Sequence, residues 1–390
     1  MKVTIQPAPL KGEIKAIPSK SHAHRLLICR ALAGEPIHLG WEKISEDIQA
    51  TVRCLETLLT PSAEERILRV GESGSTYRFL FPIACALGFK CRFVLEGGLP
   101  ARPMEPLFSV LKAHGAAIAG AGSEEVRLSG QLTGGDFSLP GNISSQYISG
   151  MMFALPLLPR DSILQIEGPL ESKGYLDMTL SALREFGIHI IIEENRFLIP
   201  GNQKYRMREE AIPEGDWSNA AFWLCSAALT GETLICSGLN PHSMQGDKAV
   251  CEILKTIRKN ETSVIDVSQV PDLVPALSAV AAATPGETRI INAGRLRIKE
   301  SDRLRSVTAV LHSLGADISE TADGLIIRGR KPLTGGTTDS WGDHRIVMMA
   351  AILSSVCTSP VTIENAQSVN KSYPSFFTDF ESLGGQVTYD

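Results

Sequence analysis

A chain of 390 residues with 43% hydrophobic and 21% charged residues is too apolar for disorder and long enough for two or three domains, each with its own core. Its net charge of −5 excludes the broad cationic face of a nucleic-acid binder, so any anion site is assembled by folding from scattered Lys and Arg. No run approaches the length of a membrane span and no basic-then-apolar leader opens the chain, so a cytoplasmic protein without membrane or nucleic-acid partners is expected.

Val3 and Ile5 mark an opening strand, ended by Pro7 and Pro9. Pro18-Ser19-Lys20-Ser21 leads into a predicted helix over Ser21–Ala33. Ser21 is placed to cap it, Lys20 just outside the start, and Arg25 one turn on. A break at Gly34-Glu35-Pro36, a short strand over Ile37–Leu39, a helix over Asp47–Leu59 and a strand over Ile67–Val70 follow. Two further turns, Gly71-Glu72-Ser73-Gly74-Ser75-Thr76 and Pro140-Gly141-Asn142-Ile143-Ser144-Ser145-Gln146, each open an apolar helix-like run. Pro213–Ser218 then leads a helix over Trp217–Leu229, a Gly231 break, a strand over Thr233–Cys236, a helix over Asp247–Ile257 and a strand over Val264–Val267. Val270-Pro271-Asp272 and Trp341-Gly342-Asp343-His344-Arg345 are the last two turns of this kind.

The same phrase therefore recurs six times at a mean spacing of about 65 residues, the size of a supersecondary unit rather than of a solenoid repeat. Second helices close alike, with Gly115, Gly187 and Gly315 at predicted C′ positions and Leu383-Gly384-Gly385 as an echo. Three recurrences fall before the charged crossing Arg206–Pro213 and three after it, which predicts two similar α/β (α+β) lobes. The eight cysteines, Cys29, Cys54, Cys85, Cys91, Cys225, Cys236, Cys251 and Cys357, form no C-x-x-C pair. Most are expected to be reduced core residues.

Helix starts bind anions because their free N–H groups and positive dipole ends point outward together. Lys20, Ser21 and Arg25 at the first start, and Ser144, Ser145 and Gln146 at the third, are suited to phosphate oxygens, although each motif alone is also what an ordinary capped helix displays. Ile298-Lys299-Glu300-Ser301-Asp302-Arg303 is read as the opening of a helix, with two cations a turn apart flanking a carboxyl group able to shuttle a proton. Asp343-His344-Arg345 precedes a very apolar helix, and Asn370-Lys371-Ser372-Tyr373-Pro374 places another Lys near a further helix start. His22 and His24, two apart on a helix, point to different sides and are not read as metal ligands.

In this order, Ser19-Lys20-Ser21 with Arg25, Ser144-Ser145-Gln146, Lys299-Glu300-Ser301-Asp302-Arg303, Asp343-His344-Arg345 and Lys371-Ser372-Tyr373-Pro374 resemble the enolpyruvyl transferases, and within them the branch acting on shikimate 3-phosphate. The resemblance spans essentially the whole chain. It implies an inside-out α/β barrel of two lobes, each of three βαβαββ units. Residues 1–18 with 214–390 would form the C-terminal lobe and 19–213 the N-terminal lobe, with the active site in the cleft between them. It also implies transfer of the enolpyruvyl group of phosphoenolpyruvate to the 5-hydroxyl of shikimate 3-phosphate, with release of phosphate, by a monomer needing no metal or organic cofactor.

By the same resemblance Lys20, Gly74, Ser75, Arg102, Gln146, Arg303, His344, Arg345 and Lys371 would hold phosphoenolpyruvate. Lys20, Ser21, Arg25, Ser144, Ser145, Gln146, Ser172, Tyr175, Asp272 and Lys299 would hold shikimate 3-phosphate. Glu300 would deliver the proton to the methylene carbon, and Asp272 with Lys20 would take one from the attacking hydroxyl. Glu72, Gly98 and Arg295 depart from the residues usual in the family at those positions. The sister branch, which uses a UDP-amino sugar such as UDP-N-acetylglucosamine, has Lys-Asn early and a reactive Cys in a loop. This chain has Lys20-Ser21, and Glu96–Pro103 contains no Cys. A non-catalytic phosphometabolite binder of the same fold would have no use for Glu300 and Asp272 beside the cations.

Overall fold

The computed structural model describes residues 1–37, 44–62, 64–257 and 261–390. The chain divides into two compact units, Lys20–Pro213 and a discontinuous one made of Met1–Ser19 with Glu214–Asp390. Where the chain leaves and re-enters the discontinuous unit its two strands lie side by side, Ser19 N donating to Glu214 O (2.8 Å) and Pro18 bridging Gly215.

In Lys20–Pro213 two sheets repeat one plan. The first runs strand Arg66–Gly71, helix Gly74–Ala86, strand Cys91–Leu95, helix Glu105–Ala113, then strands Ala116–Ala119 and Glu125–Gly130. The first two strands are parallel, and the last strand pairs antiparallel between Cys91–Leu95 and Ala116–Ala119. The second sheet does the same with Asp136–Pro140, helix Ser145–Ala154, Ser162–Glu167, helix Lys173–Glu185, Ile191–Glu193 and Arg196–Ile199. A parallel pair needs a crossover and an antiparallel pair needs only a short turn, so βαβαββ is the natural reading of this strand order.

The discontinuous unit repeats the plan over Thr262–Asp266, helix Val274–Ala283, Gly286–Ile291, helix Arg303–Ser313, Asp317–Glu320 and Leu325–Gly329. Its second copy takes its last strand from the other end of the chain. After Gly336–Asp339, helix His344–Leu353, Val361–Glu364, helix Phe376–Ser382 and Gln386–Tyr389, the strand Val3–Gln6 inserts antiparallel between Val361–Glu364 and Gln386–Tyr389. A fifth copy is cut open: Gly12–Lys15 runs parallel to Leu234–Ser237, with helix Trp217–Thr230 between them in the plan but 200 residues away in sequence. The sixth contributes helices Lys20–Leu32 and Glu46–Leu59. Its expected strand at Ile37–Leu39 falls mostly outside the described residues.

The sixfold recurrence is thus four four-stranded sheets, one two-stranded sheet and one copy represented by helices alone among the described residues. The phase also differs from the sequence reading. Residues 66–71, read as the end of the first phrase, open the next sheet, because a parallel partner at Cys91–Leu95 outcompetes any local pairing. The predicted helix over Asp247–Ile257 is a 3₁₀ turn at Gly246–Ala249, one α-turn at Val250–Ile253 and another 3₁₀ turn at Leu254–Thr256.

Helices lie in the core of each unit. Every residue of Val274–Ala283 and of His344–Leu353 is buried, and Gly74–Ala86 is buried at all but one position, as expected for helices apolar all round. The Gly-terminated helix ends share one device: Gly187, Gly315 and Gly384 adopt left-handed φ of 76°, 91° and 96°. The next residue's N–H then reaches back to the Leu183, Leu311 or Phe380 carbonyl, closing the helix and turning it into a strand.

Because Ile5 is fully buried in a central strand, Ile5→Ala is expected to cost roughly 2–5 kcal/mol. Urea unfolding of the full chain checks this, and an unchanged midpoint would show that the strand does not contribute to the unit's core.

Candidate active site

In Lys20–Pro213 the helix Lys20–Leu32 begins at Lys20 itself, so Ser21 lies in its first turn and does not cap it. The chain upstream is held by Ser19 instead, its Oγ donating to Gln245 Oε1 (3.2 Å). Lys20 Nζ pairs with Asp47 Oδ2 at 2.7 Å. Arg25 is buried, and its guanidinium donates to Thr179 Oγ1 (2.8 Å), Ser21 O (2.6 Å) and Tyr175 O (3.0 Å). It also lies over the Phe79 and Tyr175 rings. All three acceptors are neutral, and no carboxylate pairs with it among the described residues. Burial pulls its pKa down to about 10, Tyr175 and Cys29 only partly opposing. A buried cation without a counter-charge is costly and is relieved by an anion.

A second group gathers on neighbouring helix starts. Ser144 caps Ser145–Ala154, its Oγ accepting from Gln146 N. Gln146 links Arg78 Nη1 (2.9 Å, through Oε1) to Ser75 Oγ (2.8 Å, through Nε2). A Cβ at Gly74 would stand 2.7 Å from Arg78 Nη1 and 2.8 Å from Arg102 Nη1, so the glycine lets two guanidiniums close over a helix N-terminus. Ser172 is buried in a left-handed backbone conformation, φ 55°, a strained geometry found where function demands it. Glu72 packs its carboxylate over Gly97, where a Cβ would meet it at 2.5 Å.

The discontinuous unit concentrates charge. Asp272 lies in the 3₁₀ turn Pro271–Leu273 that opens helix Val274–Ala283. Lys299 and Glu300 lie ahead of helix Arg303–Ser313, which starts at Arg303 behind the Asp302 cap. The helix is therefore shorter than predicted, because Asp302 accepts from Arg305 N. Arg303 is fully buried and donates to Asp272 Oδ1 (2.7 Å), Glu300 Oε2 (2.6 Å) and both oxygens of Asp343 (2.7 and 3.3 Å). Burial alone would lower its pKa, but Asp343, Glu300 and Asp272 reverse that and raise it. Arg345 Nη2 lies 3.4 Å from Asp272 Oδ2, and its Nη1 donates to Asp272 O (3.1 Å). Lys299 Nζ is 3.6 Å from Asp272 Oδ1. Asp272 thus meets three cations. Behind them Ser218 accepts from Arg345 Nη2 (3.1 Å) and donates to buried Asp247.

Of the residues singled out from sequence, the fold links Lys299, Arg303 and Arg345 to Asp272, and Arg303 on to Glu300, by ion pairs. His344 is buried beside Asp343, at 3.8 Å. Lys371 is the last residue of a 3₁₀ turn shortly before helix Phe376–Ser382, and donates to Gly342 O (2.8 Å). Sequence reasoning overlooked Asp343 as the partner of Arg303, Arg78 as the partner of Gln146, and Asp47, Ser218 and Asp247 altogether. A capping signal was present for Asp343, which accepts from Arg345 N. Nothing local marks the others.

Interior helices under antiparallel-ended sheets, with cations collected at their starts, define a class that the comparisons sharpen. The chain aligns over 100% of its length, and 100% of the partner's, with a solved EPSP synthase from Acinetobacter baumannii, at a TM-score of 0.78 and 26% identity. Residues 56–380 match the family described as EPSP synthase (3-phosphoshikimate 1-carboxyvinyltransferase). A 3-phosphoshikimate 1-carboxyvinyltransferase of Clostridium kluyveri is 41% identical over 99% of this chain and 98% of its own. One of Clostridium botulinum, strain Alaska E43, is 44% identical over 98% and 97%. The chain belongs to the EPSP synthase family.

Burial, then the nearby Asp272 charge, push the Asp247 carboxyl up to about 6, with Arg345 and Ser218 opposing. An unfolded Asp ionises near pH 4, at about 3.9. Between these values the folded chain holds a proton that the unfolded chain releases, so this group lowers stability as pH rises through that window. Asp247→Asn is therefore expected to gain stability relative to the parent from pH 4 to 7. Urea midpoints at both pH values test this; parallel curves would show that Asp247 is not charged at a cost.

Proposed function

We propose that the chain transfers the enolpyruvyl group of phosphoenolpyruvate to the 5-hydroxyl of shikimate 3-phosphate and releases inorganic phosphate. Its family membership supports the reaction. The observation that bears on the chemistry is the Asp272–Lys299–Glu300–Arg303–Arg345 cluster, in which two carboxyl groups stand among three cations. A site that only bound anions would have no use for those carboxylates, whereas addition and elimination each need a proton moved.

Both substrates are phosphorylated, each phosphate carrying about −1.5 to −2 charge at neutral pH, and they approach each other only among many cations. In this reading Lys20, Arg102, Arg303, Arg345 and Lys371, with Gly74, Ser75, Gln146 and His344, hold phosphoenolpyruvate. Ser21, Arg25, Ser144, Ser145, Ser172, Tyr175 and Lys299 hold the acceptor, with Lys20, Gln146 and Asp272 also touching it. Glu300 gives a proton to the methylene carbon while Asp272, with Lys20, accepts the one leaving the attacking hydroxyl. The new C–O bond makes a tetrahedral intermediate. Glu300 then takes a proton back from the methyl group as the C–O bond to phosphate breaks, restoring the double bond.

The first test is phosphate release from phosphoenolpyruvate with shikimate 3-phosphate and a UDP-amino sugar as parallel acceptors. Release only with the former is expected; release only with the latter overturns the acceptor, and release with neither overturns the reaction. Glu300→Gln should keep substrate affinity and lose about 10²-fold or more in kcat, whereas Arg345→Ala should chiefly weaken phosphoenolpyruvate binding. Near-normal turnover of the Gln variant would remove Glu300 from its role.

Lys299 supplies a pH test. Burial pushes its pKa down to about 8 against the pull of Asp272, with Arg295 and Arg303 adding to the fall. The ammonium is lost as pH rises through that value, so calorimetric affinity for shikimate 3-phosphate should be about tenfold weaker at pH 9 than at pH 7. Lys299→Met should bind weakly at both, without that slope. A slope that persists in the variant would place the titrating group elsewhere.

A further inference from the structure

One buried polar chain in Lys20–Pro213 has no part in the reaction as proposed. His24 is buried on the helix Lys20–Leu32, with Nδ1 2.7 Å from Thr51 Oγ1 on the helix Glu46–Leu59. Thr51 Oγ1 is 2.6 Å from Thr76 Oγ1, and Thr76 Oγ1 is 2.7 Å from Ser73 Oγ. Ser73 caps the helix Gly74–Ala86, its Oγ accepting from Thr76 N at 3.3 Å. All four side chains are almost wholly out of water. Three helix starts are therefore tied by one line of hydroxyls that ends on an imidazole.

Such a line has a direction. If His24 Nδ1 is the acceptor, Thr51 donates to it, Thr76 donates to Thr51 and Ser73 donates to Thr76, so that all three hydroxyl protons are used. If Nδ1 carries a proton, Thr51 turns its hydroxyl proton to Thr76 and Thr76 turns its own to the Asp47 backbone carbonyl, so that the reversed line ends on a long 3.4 Å contact at the edge of hydrogen-bond range. The first arrangement leaves Nε2–H, which has no hydrogen-bond acceptor among the described residues, beside the edge-on Phe79 ring. The surroundings hold the ring neutral. Burial is the main cause, and the Lys20 and Arg25 charges on its own helix add to it. From the neighbouring helices Thr51, Thr76 and Phe79 face it, none of them charged.

What hangs from this line is the proposed phosphoenolpyruvate half of the site. Ser73 leads directly into Gly74 and Ser75, which meet Arg78, Arg102 and Gln146. Thr76 Oγ1 also lies 3.4 Å from the backbone carbonyl of Asp47, and the Asp47 carboxylate holds Lys20. We infer that His24 is a positioning residue: as the terminal acceptor of the Thr51–Thr76–Ser73 line it holds the Gly74-Ser75 turn and the Asp47–Lys20 pair in register for phosphoenolpyruvate. The inference rests on the enolpyruvyl-transfer reading and adds to it a residue that touches neither substrate.

The test uses the full chain and steady-state phosphate release. His24→Leu, which removes the acceptor and leaves Thr51 unsatisfied, should raise KM for phosphoenolpyruvate about tenfold while moving KM for shikimate 3-phosphate less than about twofold. His24→Asn, whose Oδ1 takes the place of Nδ1, should restore most of the loss. Thr51→Val breaks the line at its middle with little change of shape and should reproduce the Leu phenotype. The double variant should be no worse than the worse single one, because both remove the same line. In protein labelled with ¹⁵N-histidine, the imidazole signal missing from His24→Asn should show an unprotonated Nδ1 from pH 6 to 8.5.

Equal rises in both KM values, failure of Asn to rescue, multiplied losses in the double variant, or a protonated Nδ1 would each overturn the inference. A parent enzyme that releases no phosphate would instead overturn the transfer reading on which it rests.

Discussion

Arg303 in its sleeve of carboxylates is the interaction on which the candidate site depends. A guanidinium with almost no exposure is strongly penalised unless its N–H groups are met by charge, and here Asp343, Asp272 and Glu300 meet it. Each of the three is delivered by a different element: the cap of helix His344–Leu353, the turn opening Val274–Ala283 and the segment before Arg303 itself. The buried cation therefore couples the positions of three helix starts. Removing it would leave three carboxylates facing each other without the cation that separates them.

The counterpart in Lys20–Pro213 is balanced in the opposite way. Arg25 is equally buried, and among the described residues it meets neutral oxygens and two aromatic rings. One unit thus presents a cation already compensated by carboxyl groups. The other presents a cation that no carboxylate pairs with among the described residues. This division suits a reaction in which one set of groups performs chemistry and another holds a phosphate, and it explains why an acidic chain can serve two anionic substrates. What matters is the local placement of Arg and Lys at helix starts, where backbone N–H groups add to them, and not the net charge.

Much of the plan was legible because it rests on short-range rules. The glycines after second helices are there because the helix must end in a left-handed residue before the strand begins, and Gly315 and Gly187 could be read as such from one line of sequence. The polar turns before apolar runs likewise gave helix starts, to within a residue at Glu46 and Trp217. Readings failed where a distant partner decided. Residues 66–71 joined the following sheet because Cys91–Leu95 paired with them, whereas Lys299 stayed outside its helix for a local reason, Asp302 taking the cap. Asp343 looked like one more charge ahead of an apolar helix, although it is the buried anion opposite Arg303. Asp47 and Ser218 were legible only as residues of helix starts, and His24 only as a helix residue unsuited to metal; neighbours from other elements give them their roles.

The sequence by itself determined the repeating strand and helix vocabulary, the helix starts rich in Lys, Arg and Ser, and the set of residues from which the chemistry is drawn. These follow from hydrophobic periodicity, capping and turn preferences, all of which act within a few residues. Tertiary structure alone decided that Val3–Gln6 completes a sheet begun at Gly336, that Gly12–Lys15 finds its parallel partner beyond residue 230, and which carboxylate faces which cation. Pairing across such separations leaves no local trace, because a strand's pattern states only that one face is buried, and an ion pair's partner is chosen by the packing that brings the two together.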